Sequence, residues 1–122
     1  MPYGAACADP SGAVWSLAGA GVPCAGCSIT LIIDNTTGAA LPNQAALIVG
    51  FGPATHLATF GTGCTLDVSP PLSVNHLNIV VVPHSVSGSI PSSLPPSQFT
   101  LQVLLKIANK IYSTNPLEMQ SC

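Results

Sequence analysis

Charge is what this sequence has least of. Only 5% of its 122 residues are charged and arginine is absent, whereas an ordinary globular chain carries about 25% charged residues. The charged residues are Asp9, Asp34, Asp67, Glu118, Lys106 and Lys110. Because a nucleic-acid surface needs clustered lysine or arginine to neutralise phosphates, this composition excludes one.

Long apolar runs are absent as well. Hydrophobic residues make up 48% of the chain and the mean hydropathy is +0.55, yet no window holds the ~20 consecutive apolar residues of a membrane-spanning helix. The densest run, residues 77–82, ends at Pro83. We therefore expect no membrane span. Short apolar segments separated by Gly, Pro, Ser and Thr are typical of a sheet protein.

Low charge combined with high apolar content has a consequence for association. Little charge repulsion keeps copies of such a chain apart, and exposed apolar surface tends to be buried against a partner. The composition therefore favours a homo-oligomer or polymer, with copies of the chain as the partner. The alternative is a secreted domain with an uncharged surface that stays monomeric.

Residues 99–107 carry the clearest periodicity in the chain. Their apolar side chains alternate at period two, which predicts a half-buried β-strand. The alternating residues are Phe99, Leu101, Val103, Leu105 and Ile107. The opposite face holds Thr100, Gln102, Leu104 and Lys106, a nearly neutral stripe that we expect to be available to a neighbouring subunit. On that view Leu104→Lys weakens assembly and leaves the monomer folded. The rival interpretation is an amphipathic helix capped by Ser97.

The rest of the chain predicts further short strands at roughly ten-residue spacing. We expect residues 18–23 to form a flexible connection and residues 85–96 a Ser/Pro-rich loop with Ile90 and Leu94 as apolar anchors. The expected strands are residues 13–17, 28–34, 45–51, 57–60, 64–68, 77–82 and 111–120. This pattern predicts one all-β domain over residues 1–122, an antiparallel β-sandwich or jelly roll of about seven or eight strands. Residues 1–22 are expected to form an extended N-terminal arm.

Five cysteines indicate an oxidising environment, because cytosolic chains rarely carry such a set without a metal or redox role. Cys24 and Cys27 form a CxxC motif, but it lacks the strand–helix setting of a redox motif, and zinc would need two further ligands such as Cys64 with His56 or Cys7. We expect disulfides among Cys7, Cys24, Cys27 and Cys64, with Cys122 free or intermolecular. The preferred pairs are Cys7–Cys24 and Cys27–Cys64.

Catalytic and metal motifs are weak. His56, His76 and His84 could hold copper or zinc only if the fold brought them together, because no two of them share a short motif. A Ser-His-Asp triad could be assembled from Asp67, any histidine and many serines, but no GxSxG elbow is present. We therefore expect no enzyme, no cofactor and no metal.

Two further residues are candidates for surface roles. Asn35 begins an N-x-Thr sequon on a predicted turn, where a glycan would fit. Trp15 is the largest side chain of the predicted first strand, and we expect it in the core or, together with Leu104, in an assembly interface.

Four short segments resemble a known group of proteins. The matching residues are Tyr3-Gly4 with Cys7, Leu57 with residues 63–70, Ile90-Pro91 with Leu94, Phe99 and Gln102, and residues 113–119. They resemble a secreted β-sandwich domain common in exported proteins of planctomycete-type and myxobacterial-type bacteria. The resemblance covers most of the chain. It implies that fold and an extracellular location, but no activity and no site residues.

Three functional hypotheses follow. The first is a non-catalytic extracellular structural protein that self-assembles into a filament or surface layer through strand addition. The second is a carbohydrate-binding or adhesive module, by analogy with other β-sandwiches. The third is a small metalloenzyme that uses the histidines.

Overall fold

The computed structural model describes residues 14–21, 24, 26–35, 42–61, 64–68, 72–79, 84–89, 98–107 and 109–120. Within them the chain is all-β. The strands are β1 (Trp15–Gly21), β2 (Ser28–Asn35), β3 (Gln44–Phe51), β4 (Ala58–Thr59), β5 (Thr65–Leu66), β6 (Leu72–Leu77), β7 (His84–Ser89), β8 (Gln98–Ile107), β9 (Lys110–Ser113) and β10 (Leu117–Gln120). No helix in the described part of the chain is long and apolar enough to cross a membrane.

All strand pairings are antiparallel. One sheet has the order β1-β2-β7 and the other has the order β10-β8-β3-β6, while β9 also pairs with β8. A third, two-stranded unit is the β4–β5 hairpin. The predicted all-β antiparallel class is confirmed, and the described residues contain more strands than the seven or eight expected.

The two larger sheets share one apolar core. Alternate residues of β2 (Ile29, Leu31 and Ile33) and of β8 (Leu101, Val103 and Leu105) belong to the same buried cluster. Period-two alternation sends these side chains to one face of each strand, and each fully buried aliphatic side chain contributes about 1.5–3 kcal/mol. Trp15 lies in this core with 0% exposure. Its side chain is therefore not available at the surface for an assembly interface.

Strand β8 confirms the predicted strand over residues 99–107, and the helical alternative is wrong. Its second face is not open to solvent, however, because Thr100 and Gln102 are buried. Residues 52–61 and 64–68 of the same chain cover this face: Thr100 donates to the Gly52 carbonyl at 2.8 Å. Leu104 packs against a second buried cluster, which is formed by Ile48, Leu66 and Val68. The expectation of a free stripe for a neighbouring subunit is therefore wrong, and Leu104→Lys should destabilise the monomer itself.

A bulge in the strands beside β8 sets the position of Gln102. Leu101 pairs with Leu117 and Leu104 pairs with Ser113, so two residues of β8 face three residues, 114–116, of the neighbouring chain segment. Such an extra residue leaves part of the ladder unpaired. Thr114 supplies the missing hydrogen bonds to Val103. Its side-chain Oγ1 accepts from the Val103 amide at 3.1 Å, and its backbone amide donates to the Val103 carbonyl at 3.0 Å.

Both polar atoms of the Gln102 side-chain amide have hydrogen-bond partners. Oε1 accepts from the Asp67 amide at 2.8 Å, while Nε2 donates to the Thr65 carbonyl at 2.9 Å and to the Thr114 carbonyl at 2.8 Å. The side chain is 1% exposed. Because a buried amide without partners is costly, this three-way contact joins β8, the β4–β5 hairpin and the bulge.

One side of the molecule is closed by Asn115, which the bulge places next to β1. Its Oδ1 accepts from the Leu17 amide at 3.0 Å and its Nδ2 donates to the Leu17 carbonyl at 3.2 Å. Gly19 of β1 lies directly against β10: an added Cβ would be 2.8 Å from Cε of Met119 and 3.1 Å from Cδ2 of Leu117. The Gly/Ala run was expected to be a flexible connection, but its small residues let β1 approach β10 closely as a strand.

The described residues differ from the sequence-based expectations in two further places. A strand lies at Leu72–Leu77, where it pairs with β3. Of the strand expected at residues 77–82, Leu77 is in this strand, Ile79 is buried outside any strand, and residues 80–82 lie outside the described residues. Residues 85–89, expected as part of a loop, belong to β7, which pairs with β2. Ile90 and Leu94 lie outside the described residues, as do residues 1–13 of the expected arm.

We expect Gln102→Ala to lower the free energy of unfolding by about 2–4 kcal/mol, because it leaves a buried amide and two buried carbonyls without their partner. Urea unfolding followed by circular dichroism measures this. The matched control is Gln44→Ala, at an exposed position at the start of β3, which should change stability by no more than about 0.5 kcal/mol. Equal effects of the two substitutions would contradict the role given to Gln102.

Candidate functional site

Opposite the Asn115 side, the two sheets are separated by an open apolar cleft of about 450 Å³. We call it the β6–β7 cleft, because edge strands β6 and β7 flank it. Its walls come from both sheets and include Ile29, Leu31, Leu47, Val49, Phe99 and Leu101. The polar side chains that line it are Ser73, Asn75 and Ser89. No charged side chain is among the described lining residues, so the cleft suits an apolar, uncharged occupant.

The strands that flank the cleft are unprotected edges. In the described part of the chain, β6 pairs only with β3 and β7 pairs only with β2. Natural proteins usually guard such edges with lysine, proline, bulges or a covering loop. β6 and β7 contain no Lys, Asp, Glu or Pro, and Val74 of β6 is 57% exposed.

The edges on the opposite side of the molecule are guarded. Asn115 occupies both backbone groups of Leu17 on β1. β10 carries Glu118, whose carboxylate accepts from the Ala54 amide at 2.9 Å and lies 3.4 Å from Nε2 of Gln98. Where β1 meets β10, hydrogen-bonded backbone groups and a charged side chain therefore protect the edges. Among the described residues, β6 and β7 have neither form of protection, so the two sides of the molecule differ.

A second polar constellation lies on the β4–β5 hairpin. Nδ1 of His56 is 3.4 Å from Oδ1 of Asp67, and Nε2 of His56 is 3.2 Å from the Thr59 hydroxyl. The Asp67 side chain is only 3% exposed, whereas that of His56 is 49% exposed. The Thr65 hydroxyl donates to the other oxygen of Asp67 at 2.7 Å. A buried carboxylate, a half-exposed imidazole and an exposed hydroxyl thus form one line from the core to the surface.

The hairpin register explains why these residues meet. Ala58 pairs with Leu66 and Thr59 pairs with Thr65, so His56 and Asp67 lie on opposite strands just beyond the same end of the ladder. The Leu57 amide donates to the Leu66 carbonyl at 2.8 Å and holds them there. Asp67 and a histidine were considered from the sequence as triad members, but Thr59 was missed. The available signal was the sequence Gly61-Thr62-Gly63 between the two expected strands, because a Gly-rich segment favours a turn and so predicts which residues face each other.

The histidines do not form a joint metal site. His76 lies in β6, His84 begins β7, and His56 lies before the hairpin. Among the described residues, no three His, Cys, Asp or Glu side chains are grouped as metal ligands would be. The structure therefore does not bring His56, His76 and His84 together, and it provides no geometry for the His-based metalloenzyme hypothesis.

The cysteines differ from the pairing preferred from the sequence. Cys27 is a free thiol, so the Cys27–Cys64 pair is not formed. Neither Cys24 nor Cys64 is free, and no disulfide joins two described cysteines. The CxxC motif forms a turn, in which the Cys27 amide donates to the Cys24 carbonyl at 2.9 Å and Gly26 adopts φ of 81°. Cys7 and Cys122 lie outside the described residues.

Asn35 was expected on an exposed turn, but it is the last residue of β2 and is buried. Its Nδ2 atom, to which a glycan would be attached, has essentially no solvent-accessible area. The folded chain therefore does not present this sequon to a glycosylating enzyme.

No family model, no curated protein and no solved structure matches the chain. The resemblance to secreted β-sandwich domains of bacteria stays a prediction. The two constellations described above, the β6–β7 cleft and the line from Asp67 to Thr59, are the features from which a function has to be argued.

We expect iodoacetamide to modify Cys27 in the native protein without reductant, and to leave Cys24 and Cys64 unmodified. Cys27 is a partly exposed free thiol, whereas Cys64 is buried, and accessibility governs alkylation. Peptide mapping by mass spectrometry locates the label. Reduced, denatured protein serves as the control, in which Cys24 and Cys64 also react. Labelling of native Cys64, or protection of Cys27, would contradict the assignment.

Proposed function

We propose that the chain is a β-sandwich module that acts as a non-catalytic extracellular structural protein and associates with copies of itself at the β6–β7 cleft. The observation that carries this proposal is the pair of uncharged, unguarded edge strands on either side of an open apolar cleft. The association is strand addition, in which a segment of one copy pairs with an edge of the next.

Strand addition suits this cleft for two physical reasons. An added strand forms hydrogen bonds with the outer backbone groups of β6 or β7, and its alternate side chains point toward the apolar walls. Both contributions come from the same segment, so backbone pairing and apolar burial reinforce each other. Burial in the cleft is worth about 25 cal/mol per Å² of apolar surface removed from water.

A second copy is the favoured occupant because of the composition of the chain. With a formal net charge of −2 on 122 residues, copies repel each other weakly. The chain is also rich in short, uncharged, apolar segments of the kind that strand addition requires. An unrelated acidic or basic partner would find no complementary charge on the described cleft residues.

The extracellular location rests on the cysteines. Cys24 and Cys64 are not free thiols, and stable disulfides are a feature of oxidising compartments. We propose that disulfides formed by cysteines other than Cys27 stabilise the module. Such cross-links lower the entropy of the unfolded chain by an amount worth typically 2–4 kcal/mol each.

A second candidate is a carbohydrate-binding or adhesive module, and one observation favours it. Phe51 lines the cleft with 46% of its surface exposed, together with the polar side chains of Ser73 and Asn75. An exposed aromatic ring next to hydrogen-bonding groups can stack on a sugar ring. A glycan array tests this function. Binding that is lost in Phe51→Ala would support it, and an array without hits would remove it.

We expect the purified protein to associate with increasing concentration, and substitutions on the two edges to prevent this. Val74→Lys on β6 and Ser85→Lys on β7 each place a charge beside an incoming strand, which is how natural edges are protected. Both side chains are exposed, so the monomer should stay folded. Sedimentation velocity and electron microscopy measure the assembly, and at least one variant should remain monomeric where the parent protein does not.

Ile32→Lys is the matched control for these variants. Ile32 is exposed on the outer face of β2, directly opposite Ser85 in the register, but β2 is an inner strand. The control adds the same charge one strand inside the β7 edge, where no incoming strand pairs, and should assemble like the parent protein. A parent chain that stays monomeric at high concentration would overturn the proposal, and so would edge variants that assemble as well as the control does.

A further inference from the structure

The line Asp67–His56–Thr59 has no part in strand addition at the β6–β7 cleft. It lies on the β4–β5 hairpin, which packs on the second face of β8, whereas the cleft lies between the two larger sheets. Its geometry therefore needs its own explanation. The distances are 3.4 Å from Asp67 Oδ1 to His56 Nδ1 and 3.2 Å from His56 Nε2 to Thr59 Oγ1.

Asp67 Oδ1 is an acceptor and lies 3.4 Å from His56 Nδ1, so it favours the tautomer of the neutral imidazole that carries its hydrogen on Nδ1. In that tautomer Nε2 keeps its lone pair and is the acceptor for the Thr59 hydroxyl. An oriented base that accepts the proton of a hydroxyl is the arrangement that makes serine and threonine side chains nucleophilic.

Asp67 is held firmly enough to orient the ring. The Thr65 hydroxyl occupies its second oxygen at 2.7 Å, and the buried Gln102 amide binds its backbone at 2.8 Å. These contacts connect Asp67 to β8, which is the most buried of the described strands. The Thr59 hydroxyl, in contrast, lies on an exposed residue at the end of the line, where a substrate can approach it.

We propose that the Thr59 hydroxyl accepts acyl groups from activated esters, with His56 as the general base and Asp67 as the positioning residue. Thr59 Oγ1 attacks the ester carbonyl carbon and forms a new O–C bond, while its proton moves to His56 Nε2. The bond between the carbonyl carbon and the leaving oxygen then breaks, and that oxygen leaves as the alcohol or phenol with the proton from His56. The product is an acylated Thr59.

In the described part of the chain, Thr59 is the only residue whose hydroxyl is hydrogen-bonded to a histidine. Thr55, four residues earlier, donates to the Pro53 carbonyl at 3.2 Å, and a carbonyl oxygen does not take up the proton. The Thr30 and Ser87 hydroxyls bond to each other at 3.2 Å. The proposal is therefore specific for Thr59, and Thr55 in the same loop is its natural comparison.

The test uses p-nitrophenyl acetate with the full chain. We expect a burst of p-nitrophenolate no larger than one equivalent per chain, together with acetylation that peptide mapping locates at Thr59. Thr59→Val should abolish the adduct and Thr59→Ser should retain it. His56→Gln should slow acetylation about 100-fold, which is the usual lower range for a general base. Thr55→Val is the control and should react like the parent protein.

Circular dichroism and urea unfolding of each variant separate a lost base from a lost fold. His56 is half-exposed, so His56→Gln should unfold at nearly the parent's urea midpoint. If the label is found on His56 or on lysine and never on Thr59, the proposal is overturned. It is overturned equally if a folded His56→Gln variant acetylates Thr59 at the parent's rate.

Discussion

The fold depends on the buried side-chain amide of Gln102. Strand β8 is covered on both faces, by the shared core on one side and by residues 52–61 and 64–68 on the other. A polar side chain on such a strand is tolerated only when each of its donors and acceptors has a partner. Gln102 meets this requirement through Asp67, Thr65 and Thr114. The same three contacts attach the β4–β5 hairpin and set the bulge beside β8.

The consequences of that bulge extend to both sides of the molecule. The extra residue among 114–116 lets Asn115 reach the backbone of β1 and close one side of the core. The β6–β7 side has no equivalent among the described residues, and an apolar cleft remains between the sheets. In the described part of the chain, two edge strands are protected, and the two uncharged edge strands lie beside a cleft. This is the physical basis of the proposed strand addition.

The parts of the fold that could be predicted are those with strict alternation and core-facing apolar residues. Residues 28–34 and 99–107 were recognised as strands because period two is a local property of the sequence, and residues 45–51 because they form a short apolar run that ends at Gly52-Pro53. β6 and β7 were misplaced because edge strands bury little, and Ser, Asn, His and Gly carry almost no periodic signal. The Gly/Ala run of β1 was misinterpreted for a related reason. Its small residues leave room for the side chains of β10, which packs against β1 although it lies about a hundred residues later in the chain.

The sequence by itself determined the all-β class, the low charge and the strands whose apolar residues alternate. These properties depend on composition and on the local periodicity of the sequence. Only the tertiary structure decided which faces are exposed. The second face of β8 appeared free from the sequence, yet a hairpin some forty residues earlier covers it. It also decided that His56, Asp67 and Thr59 meet and that Cys27 is a free thiol. Contacts between distant segments follow from pairing register and sheet packing, which no local pattern contains.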